Sequence, residues 1–111
     1  GVRPEVMGVG PIPAVQNLLK KTGLVVSDFD VIESNEAFAV QAIAVNRGLD
    51  LGPAIVNPNG GAIALGHPVG ATGAIISLKA LYQLEKINGK RALITMCIGG
   101  GQGIALAIEK I

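Results

Sequence analysis

Residues 72–109 read TGAIISLKALYQLEKINGKRALITMCIGGGQGIALAIE, and this stretch decides the fold. Its first part predicts a helix from about Thr72 to Ile87, stopped near Asn88-Gly89. Arg91–Met96, RALITM, predicts a strand. Gly99-Gly100-Gly101 is a turn, and Gln102–Glu109 alternates well enough to be a second strand. The two strands lie too close together for a crossover helix, so they should pair antiparallel. Upstream, Ala54-Ile55-Val56 reads as a brief strand before Asn57-Pro58-Asn59. Phe38, Ala42, Val45 and Leu49 follow helical spacing, and the rest of that helix is nearly as apolar, which predicts burial on several sides. Val31–Ser34 is a short strand, with Ser34 or Asn35 available to cap the helix after it. Gly10-Pro11-Ile12-Pro13 is a rigid turn that starts another helix. There Ala14, Val15, Leu18 and Leu19 share a face, and Gly23 is the stop.

The resulting order is helix, strand, helix, strand, helix, strand, strand. It predicts an α/β fold with a mixed, mainly parallel sheet packed by helices and ending in an antiparallel strand pair. Such a fold normally opens with a strand. Residues 1–9 are too interrupted and too poor in β-branched residues to supply one, so the sequence reads as a fragment.

Composition narrows the partners. The 111 residues are the size of one domain. Half are apolar, but only Phe29, Phe38 and Tyr82 are aromatic, so the core must be aliphatic. A net charge of +1, with no basic stripe, gives nucleic-acid binding no support. No apolar run approaches the ~20 residues of a membrane span, and the N-terminus lacks the apolar region of a signal peptide. One cysteine makes no internal disulfide, and a reducing, cytoplasmic setting is the default expectation.

Three positions put a reactive or strongly hydrogen-bonding group at the end of a predicted strand: Asn35, His67 and Cys97. In open α/β sheets, sites collect outside the carboxyl ends of strands. His67 is the only histidine, within the glycine-rich GGAIALGHPVGATG of residues 60–73. A lone histidine is ordinarily structural. Here Gly66 and Gly70 expose backbone, and small neighbours leave room for a substrate against the imidazole. Cys97 alone would be a small hydrophobe. The CIGGGQG that it opens is a turn whose free N–H groups can point at an anion, which suits acyl chemistry. Its thiol could be a nucleophile or a general acid/base. Asn35 is ordinarily an N-cap; its functional reading is a donor that fixes a water or a substrate oxygen. Glu36 is a candidate base, equally at home in the first turn of a helix. No P-loop and no dinucleotide fingerprint is present. One histidine and one cysteine cannot assemble the common zinc site.

Taken together, these motifs resemble the C-terminal part of thiolases, the acetyl-CoA acetyltransferase and 3-ketoacyl-CoA thiolase family. The resemblance runs from Met7-Gly8-Val9-Gly10-Pro11-Ile12-Pro13-Ala14 to the end of the chain. It includes Asn35-Glu36-Ala37-Phe38, Asn59-Gly60-Gly61-Ala62-Ile63-Ala64-Leu65-Gly66-His67-Pro68 and Cys97-Ile98-Gly99-Gly100-Gly101. It implies a Claisen condensation of two acetyl-CoA, or thiolysis of a 3-ketoacyl-CoA, as in fatty acid metabolism. Coenzyme A thioesters are the implied substrates, with no further cofactor and no metal. His67 is then implied to activate a nucleophilic cysteine and to contribute to an oxyanion hole. Asn35 holds a water in that hole. Cys97 shuttles a proton at the α-carbon, the Gly99 N–H binds the acyl-enzyme oxygen, and Phe38 lines the acyl pocket.

Two features depart from the family pattern. The acyl-accepting cysteine of thiolases lies in their N-terminal half, and no residue here matches it. The opening strand of the C-terminal domain, central in its sheet by the family pattern, is expected to precede Gly1. The chain is therefore expected to be a thiolase C-terminal domain, residues 1–111, from a larger two-domain protein. It would be inactive alone, would pack against an N-terminal thiolase half, and would form a homo-oligomer. The competing expectation is a non-catalytic CoA-binding or interaction module. A nucleotide-binding domain is disfavoured because the phosphate motifs are absent.

Overall fold

In the computed structural model, which describes residues 1–111, helix α1 spans Pro11–Thr22. Its prolines lie within the first turn, where backbone N–H groups have no helical partner to lose. Gly23 ends it with φ 74°, donating its N–H to the Leu19 carbonyl. Strand β1 is Val31–Ser34, α2 is Ala39–Gly48, α3 is the single turn Ala62–Leu65, and α4 is Thr72–Ile87. Strands β2, Arg91–Cys97, and β3, Gly103–Glu109, complete the sheet. Short 3-10 turns occupy Pro4–Val9 and Val26–Asp28.

The sheet order is β1-β2-β3. β1 runs parallel to β2, from Val31 opposite Ala92 to Ser34 opposite Thr95. β2 and β3 pair antiparallel over their whole length, from Arg91 opposite Glu109 to Cys97 opposite Gly103, as the short glycine turn predicts. The ladder is unbroken. Open pairing positions therefore remain only at its edges, and the expectation that a further strand would sit at the centre gives way.

Residues 54–56 are not a strand. They make one parallel bridge, Ile32 with Val56. The Ile32 N–H donates to the Ile55 carbonyl, and the Asn57 N–H donates to the Ile32 carbonyl, both at 2.8 Å. Pro53 and a left-handed Asn57 at φ 47° bound the segment too closely for a ladder. Helix α2 also starts later than the capping rule implies. Its N-cap is Phe38, with no side-chain cap, whereas the Asn35 N–H extends the ladder to the Thr95 carbonyl at 3.0 Å. Neither Ser34 nor Asn35 caps it. Nor is α2 buried on several sides: Gln41 and Val45 face inward, while Val40 and Ile43 are exposed.

Alternation along the strands builds two cores. Ile32 and Leu93 point to one face, where they meet Val15 of α1, Val45 and Leu49 of α2, and Phe29. Val31, Ala92 and Ile94 point to the other, against Ile76, Ala80 and Leu84 of α4. The carboxyl ends of β1 and β2 run the same way, so the loops that follow them come together at one rim.

Candidate active site

The histidine loop is held from below. Gly60 at φ 83° and Gly66 at φ 93° turn the corners on either side of α3, in a region where a side chain would be strained. Lys79 of α4 donates to the Gly60 carbonyl and forms an ion pair at 3.0 Å with Glu33 of β1. Burial pushes the Glu33 carboxyl above the usual carboxylate range, with Lys79 opposing the shift. Asn57 ties the loop to the end of β1: its Oδ1 accepts from the Ser34 N–H at 2.9 Å, and its Nδ2 donates to the Ser34 carbonyl at 2.8 Å.

Glu36 completes the clamp. One carboxylate oxygen accepts from the Ile63 N–H at 3.0 Å, the other from Asn57 Nδ2 at 3.3 Å. It lies outside α2, so the first-turn reading does not describe it, and its two oxygens are engaged with Ile63 of α3 and with Asn57. Glu36→Ala is expected to destabilise the fold by about 1–2 kcal/mol, the low end for hydrogen bonds to a charged group because the site is partly exposed. Urea unfolding of the variant measures this, and an unchanged midpoint would show that the brace contributes nothing.

His67 itself is oriented by Thr72. Nδ1 lies 2.7 Å from Thr72 Oγ1, and that hydroxyl donates to the Pro68 carbonyl at 2.9 Å. A carbonyl can only accept, so the hydroxyl proton points there and its oxygen accepts from Nδ1–H. This fixes the tautomer and leaves the Nε2 lone pair as the free basic site.

Cys97 ends β2. Beyond it, Gly99, Gly100 and Gly101 take φ values of 86°, 60° and 89°. The turn closes on itself: the Ile98 N–H donates to the Gln102 carbonyl at 3.1 Å and the Gln102 N–H to the Gly99 carbonyl at 3.0 Å. The N–H groups of Gly99 and Gly100 donate to no atom of the chain and remain available to an anion.

These parts share a pocket of about 270 Å³, lined by Met7, Gly8, Ala37, Phe38, His67, Val69, Met96, Cys97, Ile98 and Gly99. Four of the five sequence-predicted site residues, Phe38, His67, Cys97 and Gly99, therefore meet. Asn35 does not line this pocket. It lies in an adjoining void of about 20 Å³, against Gly66, Pro68 and Thr72. It is 2% exposed, and neither carboxamide atom has a partner. Sequence reasoning missed Met7 and Gly8, which a 3-10 turn distant in sequence brings to the pocket, and Thr72, which it read only as a helix start. An imidazole with a free nitrogen, a thiol and unpaired backbone donors around one apolar pocket are suited to proton transfer beside a developing oxyanion.

Both the sequence and the fold have known counterparts. The family described as thiolase, C-terminal domain, matches residues 1–110. The chain is 61% identical, over its whole length, to 28% of the beta-ketothiolase BktB of Cupriavidus necator. It is 54% identical over 99% of its length to 28% of an acetyl-CoA acetyltransferase of Paracoccus denitrificans. Among solved structures, human mitochondrial 3-ketoacyl-CoA thiolase superposes on the entire chain with a TM-score of 0.97 at 50% identity, again over 28% of that protein. A further structure of the human protein in complex with CoA matches equally well. The chain thus spans 28% of the length of these relatives. On sequence and fold alike, it belongs to the thiolase family, as a C-terminal domain.

Proposed function

We propose that this domain works within a longer thiolase, condensing two acetyl-CoA or splitting a 3-ketoacyl-CoA with CoA through an acyl-enzyme. The observation that carries the reading is the meeting of His67, Cys97 and the free Gly99 N–H in one pocket. The acyl-accepting cysteine comes from an N-terminal half. The Nε2 lone pair of His67 takes the proton of that cysteine, and its thiolate attacks the 3-keto carbon. The resulting Nε2–H is then a donor. The bond between the α- and β-carbons breaks, leaving an acyl-enzyme and the enolate of acetyl-CoA. His67 and a water held by Asn35 stabilise the enolate oxygen, and Cys97 gives its thiol proton to the α-carbon. The Cys97 thiolate next accepts the proton of an incoming CoA thiol, and the CoA sulfur takes the acyl group while the Gly99 N–H binds the acyl oxygen; the bond to the N-terminal cysteine breaks, and its thiolate regains the proton from His67 Nε2. Phe38 walls the acyl pocket.

Exposed Phe38, Val40 and Ile43 around α2, and Leu78, Leu81 and Tyr82 on α4, offer apolar area for the other half and for a second subunit. No helix is long and apolar enough to cross a membrane. One cysteine makes no internal disulfide, and the setting we propose is a reducing, cytoplasmic one. The test is an assay with acetoacetyl-CoA and CoA. The full-length protein is expected to release acetyl-CoA, and the purified 111-residue chain to show no turnover. A full-length protein without turnover would overturn the reading.

A further inference from the structure

Beside the His67 loop lies a group of buried polar atoms of which the reaction scheme uses only one, through the water that Asn35 holds. Alternation along β1 sends Glu33 and Asn35 to the same face of the sheet, the face covered by α4. Both line the void of about 20 Å³ beside Gly66, Pro68, Thr72 and Lys79. Glu33 has a side chain only 1% exposed; its Oε2 is held by Lys79, while its Oε1 has no partner. Asn35 Oδ1 and Nδ2 have none either. Lys79 also grips the Gly60 carbonyl, so the carboxylate is anchored on one side and faces the void on the other.

Buried polar groups in proteins are almost always paired, and a cavity this size holds a single water. We infer that one buried water joins Glu33 Oε1 to Asn35 Oδ1, and that Glu33 is thereby a positioning residue for the Asn35 carboxamide. The argument is one of proton counting. Glu33 Oε1 and Asn35 Oδ1 are both acceptors and repel if they face each other directly. A water has two protons and satisfies one oxygen with each. With Oδ1 held in this way, Nδ2 is the end of the amide left to hold the water that the proposed reaction uses. There Nδ2 donates to the oxygen of the water that meets the enolate and strengthens that water as a donor, whereas the opposite rotamer would take up one of its two protons.

This inference rests on the proposed function for the role of Asn35, but the water can be read without it. A high-resolution crystal structure of the full-length protein is expected to show a density peak within hydrogen-bond distance of Glu33 Oε1 and Asn35 Oδ1. An empty void overturns the inference whether or not the protein turns over. The kinetic test uses variants with a shared background, so that loss of the Lys79 contact to Gly60 cancels. Glu33→Leu with Lys79→Met replaces the ion pair by apolar side chains of similar size. It is expected to lower kcat about tenfold with KM for acetoacetyl-CoA changed less than about twofold. Glu33→Gln with Lys79→Met puts a hydrogen-bonding group back at the void and is expected to recover most of the loss. With Asn35→Ala added, the Leu variant should be no slower than Asn35→Ala alone in the same Lys79→Met background, because Glu33 acts only through Asn35. Equal rates for the Leu and Gln variants, or multiplicative losses with Asn35→Ala, overturn the assignment. If the Leu variant does not fold, the crystallographic peak decides. Absence of thiolysis in the unmutated protein would instead sink the functional reading and leave the water to that peak.

Discussion

His67→Ala in the full-length protein is expected to lower kcat for acetoacetyl-CoA thiolysis by about 10³-fold or more, with the fold intact. The magnitude follows from two roles carried by one nitrogen. General-base catalysis is worth about 10²–10⁴-fold. Loss of an oxyanion donor costs about 10²–10³-fold, although the two are not additive on one group. The Thr72 contact makes the double role possible. With Nδ1–H directed at Thr72 Oγ1, 2.7 Å away, Nε2 begins as a lone pair and becomes a donor once it has taken a proton. Stability should change little. The ring is only half-buried, its single protein hydrogen bond is to Thr72, and α3 is braced independently by Glu36. Steady-state thiolysis, with a thermal melt as control, measures both quantities. A variant within tenfold of the unmutated rate would show that the imidazole takes no part in the chemistry.

Much of this site was legible because its signals are local or topological. The antiparallel β2–β3 pair follows from the shortness of the CIGGGQG connection and from the alternation on either side of it. The ends of α1 and α4 follow from Gly23 and from Asn88, which takes the left-handed conformation at φ 52°. His67 and Cys97 lie thirty residues apart in sequence. They meet because the bridge at Val56 and β2 both run parallel to β1, so the chain leaves each of them at the same edge of the sheet.

The misses have a different origin. Asn35 has strong capping propensity, but its N–H continues the ladder to Thr95, and the helix waits until Ala39. Ala54-Ile55-Val56 has β-branched content without room for a ladder, because Pro53 removes a donor and Asn57 turns the chain. Glu36 sits where a first helical turn would want it, yet it reaches across to Ile63, twenty-seven residues on. Met7 reaches the pocket only through tertiary folding. No spacing rule encodes such contacts, since they depend on where a distant backbone segment lies. The Glu33–Asn35 relation was within reach: the two are i and i+2 on a strand, so the same alternation that buries Val31 must bury them on its side.

Cys97→Ser is expected to lower kcat by about 10²–10³-fold while leaving acyl transfer to the enzyme largely intact, and this separation is the sharper test of its role. A hydroxyl is close to a thiol in size, so the pocket wall and the end of β2 survive. Its pKa lies far above that of a thiol, and it neither takes nor returns a proton readily near neutral pH, where general acid/base catalysis is worth about 10²–10⁴-fold. The reaction divides at this point. Formation of an acyl-enzyme from acetyl-CoA needs the nucleophile of the N-terminal half, the Nε2 of His67 and the Gly99 N–H, but no proton transfer at carbon. Exchange of the α-protons of acetyl-CoA with solvent deuterium needs the thiol at the α-carbon. The serine variant should therefore accept a labelled acetyl group at close to the normal rate and lose deuterium exchange, whereas His67→Ala should lose both. The free Gly99 and Gly100 N–H groups are the physical basis for retained acylation, since they can hold the acyl oxygen without help from the sulfur. A serine variant that stops accepting the acetyl group would place Cys97 in the first half-reaction. One that keeps full deuterium exchange would remove it from the chemistry altogether.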